Sequence, residues 1–197
     1  MIAIVDYGVG NLRSVEKAFQ FIGADARITR DRQAIQAASH VVLPGVGAFA
    51  AGMAGLKDSG LYEPVLEQAA AGKPLLGICL GMQMLFESSL EGGENAGMGL
   101  LKGQIVPFPP EDKVPHMGWN SLSVTDHPLF RGIRDGAYVY FVHSYYASAV
   151  PEEHLAGCEY IVPFTAAAGK DNVCGVQFHP EKSGEVGLKM LKNFAAF

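Results

Sequence analysis

The sequence predicts an α/β fold in three layers: a mixed, mostly parallel sheet flanked by helices, with antiparallel strands in the second half. Three observations predict it. In the first half short apolar runs alternate with stretches of helical periodicity, the pattern of parallel βαβ units. The second half keeps the apolar runs but has few helical stretches between them. Hydrophobic residues make up 49% of the chain and charged residues only 18%, the balance of a sheet covered on both faces rather than of a solvated or disordered chain.

Ile2–Asp6 reads as a buried strand. Leu12, Val15, Phe19 and Ile22 are spaced for one helix face, with Asn11 to start the helix and Gly23 to stop it. Ala26–Thr29 and His40–Leu43 follow as strands, Leu61–Ala71 as a helix closed by Gly72, and Pro74–Ile78 as the fourth apolar run. Leu80–Ser88 is the expected next helix, and the Gly-rich, acidic stretch from Glu91 to Gly99 a surface loop. Gln104–Pro107, Trp119–Val124, Ala137–His143, Leu155–Val162 and Val173–Phe178 are strand-like and predict an antiparallel addition to the sheet; Ser183–Phe197 closes the chain as a helix. No repeat or linker divides residues 1–197, so one domain is expected.

A net charge of −5 leaves no basic surplus for a nucleic-acid backbone, and a small-molecule substrate fits better. The first residues lack a basic signal-like region and no apolar run approaches membrane-spanning length, so a cytoplasmic protein with no membrane partner is expected. Three cysteines without a C-x-x-C pair argue against a disulfide framework and a zinc ribbon, and no metal is expected.

Gly77-Ile78-Cys79-Leu80-Gly81 joins an apolar strand to a helix, the setting of a nucleophile elbow. The sharp turn strains the nucleophile's backbone, and flanking glycines let it close and let substrate approach. A helix N-terminus also favours a thiolate. Cys158 and Cys174 lack that setting and read as packing residues. At the end of the last strand-like run, His179 and Glu181 stand two residues apart. In extended chain that puts both on one face, about 6.5–7 Å apart at Cα, within reach for the glutamate to fix the imidazole tautomer. His179 can then take the thiol proton and return it to a leaving amine. Pro44-Gly45-Val46-Gly47 is a glycine-rich turn leading into an expected helix. It reads either as a plain βα turn or as an anion nest whose Val46 and Gly47 peptide groups, with the Leu80 N–H, hold a transient oxyanion. No G-K-[ST] follows, which excludes a phosphate loop.

Together PGVGAF at 44–49, GICLGMQ at 77–83 and GVQFHPE at 175–181 resemble the motifs of the triad (class I) glutamine amidotransferases. DYGVGNLRS at 6–14, PHMGWN at 115–120, YFVHSYY at 140–146 and KSG at 182–184 extend the resemblance to the glutaminase subunits of imidazole glycerol phosphate synthases. The resemblance implies a Cys79, His179 and Glu181 triad and no cofactor. It implies that Gly45, Gln83, His143, Ser144 and Tyr145 hold glutamine; Gln83, one helical turn past Cys79, faces the same mouth. It further implies a heterodimer with a TIM-barrel cyclase subunit that receives the ammonia and acts on N'-phosphoribulosylformimino-AICAR phosphate (PRFAR) in histidine biosynthesis. Asn11, Arg13, His116, Met117, Trp119, Asn120 and Lys182 are the expected interface, although Trp119 at a strand start fits core packing equally well.

Overall fold

The computed structural model describes residues 1–197. Strand and helix alternate through the first half as β1 (Ile2–Val5), α1 (Leu12–Phe21), β2 (Ala26–Thr29), α2 (Arg32–Ala37), β3 (His40–Gly45), α3 (Phe49–Asp58), α4 (Tyr62–Ala70), β4 (Leu75–Cys79) and α5 (Leu80–Leu85). The second half is built from β5 (Phe86–Ser89), β6 (Asn95–Ala96), β7 (Leu101–Pro107), β8 (His116–Ser121), β9 (Ser123–Val124), β10 (Tyr138–His143), β11 (Tyr145–Ala149), β12 (His154–Tyr160), β13 (Val162–Lys170) and β14 (Val173–Val176), then α6 (Gly184–Phe194).

The main sheet runs β2-β1-β3-β4-β14-β13-β11-β7-β5-β6, with β12 and β9 continuing from β13. From β2 to β14 every pairing is parallel; β13 pairs antiparallel with β14, and β11 with β13 and β7. Alternation along each strand explains why the parallel strands read as unbroken apolar runs. Ile2 and Ile4 enter a core shared with Val15 and Phe19 of α1 and Leu191 and Phe194 of α6. Ala3 and Val5 point the other way, into a core with Phe49, Leu56 and Val65 of α3 and α4. A strand buried on both faces has no polar alternation to show. No helix is long and apolar enough to cross a membrane.

The structure departs from the expected elements in several places, among them β11 (Tyr145–Ala149), which was not expected, and the short β6 inside the expected Glu91–Gly99 loop. Helix α5 stops at Leu85, because Phe86–Ser89 pairs parallel with β7 and buries Phe86 completely. Asn11 precedes α1 without a side-chain capping bond. Helix α2 was hidden by its length, six residues with only Ile35 buried, and is started by Asp31, which accepts a hydrogen bond from Gln33 N at 2.9 Å. Strand β13 contains the run Ala166-Ala167-Ala168, which has little strand propensity of its own but is paired on both sides by β12 and β14. In addition, β8 and β10 form a separate two-stranded ribbon instead of joining the main sheet. Its inner face buries His116, Val139, Phe141 and His143, whereas its outer face exposes Met117, Trp119 and Tyr138.

Candidate active site

The parallel strands end along one edge, the place where open α/β sheets bind ligands. Gly45 ends β3 directly beside Cys79, which ends β4. Cys79 has φ 55° and ψ −111°, a left-handed backbone that costs a non-glycine residue about 1–3 kcal/mol. Two glycines let the turn close. A Cβ at Gly77 would lie 2.7 Å from Gly81 O, and one at Gly81 would overlap Leu43 O. Cys79 is 7% exposed and lines a cavity of about 330 Å³.

His179 lines the same cavity, with Glu181 behind it on its Nδ1 side. The His179 backbone N–H donates to Tyr140 O at 2.9 Å, and Ser183 Oγ donates to His179 O at 2.6 Å, so β10 and the start of α6 hold the residue. Nδ1 of His179 lies 2.9 Å from Glu181 Oε1, with the two side chains 2% and 1% exposed. The turn that joins them is not the extended chain expected from sequence. Pro180–Lys182 forms a 3₁₀ turn after β14 has ended, and this turn brings the carboxylate to the ring. Burial lowers the His179 pKa, but the Cys79 and Glu181 side chains outweigh it and raise the value to about 9. Both neighbours thus favour the protonated ring. Nε2 of His179 and Oε2 of Glu181 are buried without a partner, which leaves the ring nitrogen remote from the glutamate free to exchange a proton inside the site.

Val46, Gly47 and Leu80 all line the cavity, and Gly47 adopts φ +102°, a conformation natural only to glycine. Gly45 stays behind the lining, where a Cβ would strike the Tyr7 hydroxyl. That hydroxyl donates to Pro44 O at 2.7 Å and ties the turn to the loop after β1. Gln83, His143, Ser144 and Tyr145 also line the cavity. Gln83 Nε2 donates to Tyr145 O at 3.2 Å and to Gln177 Oε1 at 3.0 Å, so its own oxygen remains for a ligand.

The His143 ring has no nitrogen to spare. Its Nδ1 donates to Tyr145 O at 2.8 Å, and its Nε2 accepts from His116 Nδ1 at 2.9 Å. His116 Nε2 in turn accepts from Asn120 Nδ2 at 3.2 Å. Each tautomer follows from the carbonyl at the end of the chain, which can only accept. Burial lowers the pKa of His143 to about 3 and that of His116 to about 4. Neither ring is a proton carrier near neutrality; both are structural links.

This corrects the expected interface. His116 is 3% exposed, stacked between Phe141 and Tyr160, and cannot face a partner. Met117 and Trp119 are 62% and 56% exposed, so the packing alternative for Trp119 fails. Arg13 and Lys182 are exposed, whereas Asn11 and Asn120 are half-buried. Sequence reasoning missed Glu91, which lies in the loop before β6. It lines the cavity, and its Oε2 accepts from Phe49 N at 2.8 Å, capping α3 where Ala48 has no side chain to do so. Its loop position, 42 residues from the helix it caps, gave no local signal. Cys158 and Cys174 are buried, and burial pushes both thiols up to about 12. No group of three or more His, Cys, Asp or Glu side chains is placed to hold a metal ion.

Comparison with known proteins identifies the family. Residues 3–196 match the family described as glutamine amidotransferase class-I. The chain is 54% identical over 197 residues to the imidazole glycerol phosphate synthase subunit HisH of Desulfitobacterium hafniense, covering 98% of this chain and 93% of that protein. It is 52% identical over 196 residues to the subunit of the same name from Caldanaerobacter subterraneus subsp. tengcongensis, covering 98% and 97%. A crystal structure of a glutamine amidotransferase superposes with a TM-score of 0.78 at 18% identity, covering 100% of both chains.

Proposed function

This chain belongs to the class-I glutamine amidotransferase family, and we propose that it is the glutaminase subunit of an imidazole glycerol phosphate synthase, hydrolysing glutamine and passing the ammonia to a cyclase subunit in histidine biosynthesis. The observation that carries the chemistry is a strained cysteine and His179 lining one cavity, with the His179 ring held from behind by buried Glu181.

The sulfur of Cys79 attacks the side-chain amide carbon of glutamine, with the thiol proton held on His179. The resulting oxyanion is met by the Val46–Gly47 turn and the Leu80 N–H; donors of this type are worth about 10²–10³ in rate. The imidazolium protonates the departing nitrogen, the C–N bond breaks, and ammonia leaves a glutamyl thioester on Cys79. Water then attacks the thioester, giving its proton to His179, and glutamate and the free sulfur are regenerated. Glu181 keeps the ring in the tautomer that this exchange needs. Gln83 Oε1 and the Glu91 carboxylate offer acceptors to the α-ammonium of glutamine, and Ser144 and Tyr145 line the same cavity.

Ammonia released into water protonates and diffuses away, so the cavity needs a docked acceptor. The outer face of the β8–β10 ribbon, with Met117, Trp119 and Tyr138 exposed, suits a TIM-barrel cyclase subunit that converts PRFAR to imidazole glycerol phosphate and AICAR. Exposed Arg13 and Lys182, with half-buried Asn11 and Asn120, are assigned to the same interface in the proposed heterodimer. The experiment is to supply the cyclase with PRFAR and either glutamine or an ammonium salt. Glutamine should support product formation only when this chain is added. Product from the ammonium salt alone, with none from glutamine plus the chain, overturns the assignment.

A further inference from the structure

Gln177 lies two residues before His179 and has no part in the triad. Its side chain is 0% exposed, and a fully buried carboxamide must find partners for both its oxygen and its nitrogen. The direction of this amide is dictated by a group that cannot be reversed. Tyr145 O only accepts, so the nitrogen of Gln83 faces it at 3.2 Å. The same nitrogen reaches Gln177 at 3.0 Å, and the Gln177 atom facing it must be the oxygen. That leaves Gln177 Nε2 turned towards Cys79 Sγ at 3.7 Å, its one partner in the structure. The backbone is fixed as well, because Gln177 N donates to Ala166 O at 2.8 Å. The intervening Phe178 is anchored on the opposite side against Phe141, with ring centroids 5.8 Å apart.

We propose that Gln177 is a further catalytic residue: its side-chain N–H donates to the Cys79 sulfur and stabilises the thiolate, with Gln83 and the Tyr145 carbonyl as the positioning groups that hold the amide in that direction. This rests on the glutaminase reading of the site. The reason for an amide here is chemical. His179 must carry the proton to the leaving nitrogen, so it cannot remain a fixed donor to sulfur throughout the cycle. A carboxamide donates without transferring its proton. It therefore supports the sulfur both before attack and when the thioester is cleaved.

Alkylation of Cys79 by iodoacetamide tests the idea without glutamine or a partner, because its rate against pH follows the thiolate. The Cys79 peptide is read by mass, which separates it from buried Cys158 and Cys174. Gln177→Met keeps the volume and removes the donor. Its profile should move to higher pH, with alkylation at neutral pH slowed about tenfold or more, the scale of one hydrogen bond to a charged group, and the limiting rate at high pH retained. Gln177→Glu, which puts an acceptor beside the sulfur, should slow it further. Gln83→Met, which frees the Gln177 amide to turn, should give an intermediate shift. In glutamine turnover Gln177→Met should lower kcat more than it changes KM. A folded Gln177→Met chain with the wild-type profile overturns the proposal. If that variant does not fold, an unshifted Gln83→Met profile does so instead. A wild-type chain that fails to hydrolyse glutamine with its partner would remove the glutaminase reading, yet the alkylation profiles would still decide whether Gln177 serves the sulfur.

Discussion

Glu181 Oε1 lies 2.9 Å from His179 Nδ1, with both side chains almost wholly excluded from solvent. Together with the neighbouring thiol, this carboxylate overcomes the burial that would otherwise favour a neutral ring, and His179 is raised to about 9. Glu181→Gln should therefore lower the His179 titration seen by NMR and reduce kcat by roughly 10²–10⁴-fold. Because the folded-state pKa is raised above 6.5, the stabilisation is fully present below pH 6.5 and is lost as pH rises towards about 9. An unchanged His179 titration in Glu181→Gln contradicts this assignment.

His116 and His143 behave in the opposite sense. With pKa values lowered to about 4 and about 3, both stay neutral in the folded protein while an unfolded chain would protonate near 6.5. Their contribution is present above pH 6.5 and is lost as pH falls towards 4. Neither ring should titrate by NMR between about pH 7 and 5 in the folded protein. A midpoint near 6.5 for either one would show that the Asn120–His116–His143–Tyr145 chain is not closed as described.

Tyr7→Phe removes the hydroxyl that donates to Pro44 O at 2.7 Å. An unsatisfied buried carbonyl costs about 1–3 kcal/mol, and the turn carrying Val46 and Gly47 loses its tie to the loop after β1. Denaturant unfolding should register that loss. Burial raises the Tyr7 pKa, so the hydroxyl remains a donor throughout the pH range of folding. Equal stability of Tyr7→Phe and wild type would count against this bond.

Glu91→Gln should raise KM for glutamine more than it lowers kcat. The carboxylate lines the cavity but is hydrogen-bonded to Phe49 N rather than to Cys79 or His179, and its replacement keeps an oxygen able to cap that N–H. Steady-state kinetics in the complex would check it; a pure kcat effect would place Glu91 in the chemistry instead.

Trp119→Ala should weaken cyclase binding by at least about 30-fold, the scale of an interface anchor. Its exposure of 56% makes a comparable loss of monomer stability unexpected. Calorimetric titration of the variant against the cyclase reads the first quantity and thermal unfolding the second. Intact binding would move the docking face elsewhere.

The parallel half of the fold was legible because strands buried on two faces leave unbroken apolar runs between helices, as Ile2–Val5 and Leu75–Cys79 do. Local pattern failed where pairing overrode propensity, at Phe86–Ser89 and at the alanines of β13. Cys79, His179 and Glu181 could be picked out from their motifs, but the turn that joins the last two is 3₁₀ rather than extended. His116 illustrates the limit most clearly. It sits in a strand whose neighbours Met117 and Trp119 are exposed, and nothing in PHMGWN says which face of the ribbon is covered. Glu91 reaches the site through a contact 42 residues distant in sequence, beyond any local pattern, whereas Gln177 stood inside GVQFHPE but its contact with Cys79, 98 residues away, could not be read there.

The decisive measurement is ammonia release from glutamine by wild type and Cys79→Ser, each with a cyclase subunit and its ligand. Release by wild type and none above background by Cys79→Ser is the predicted result. Release by both variants alike, or an inactive wild-type complex, would contradict the Cys79, His179 and Glu181 mechanism.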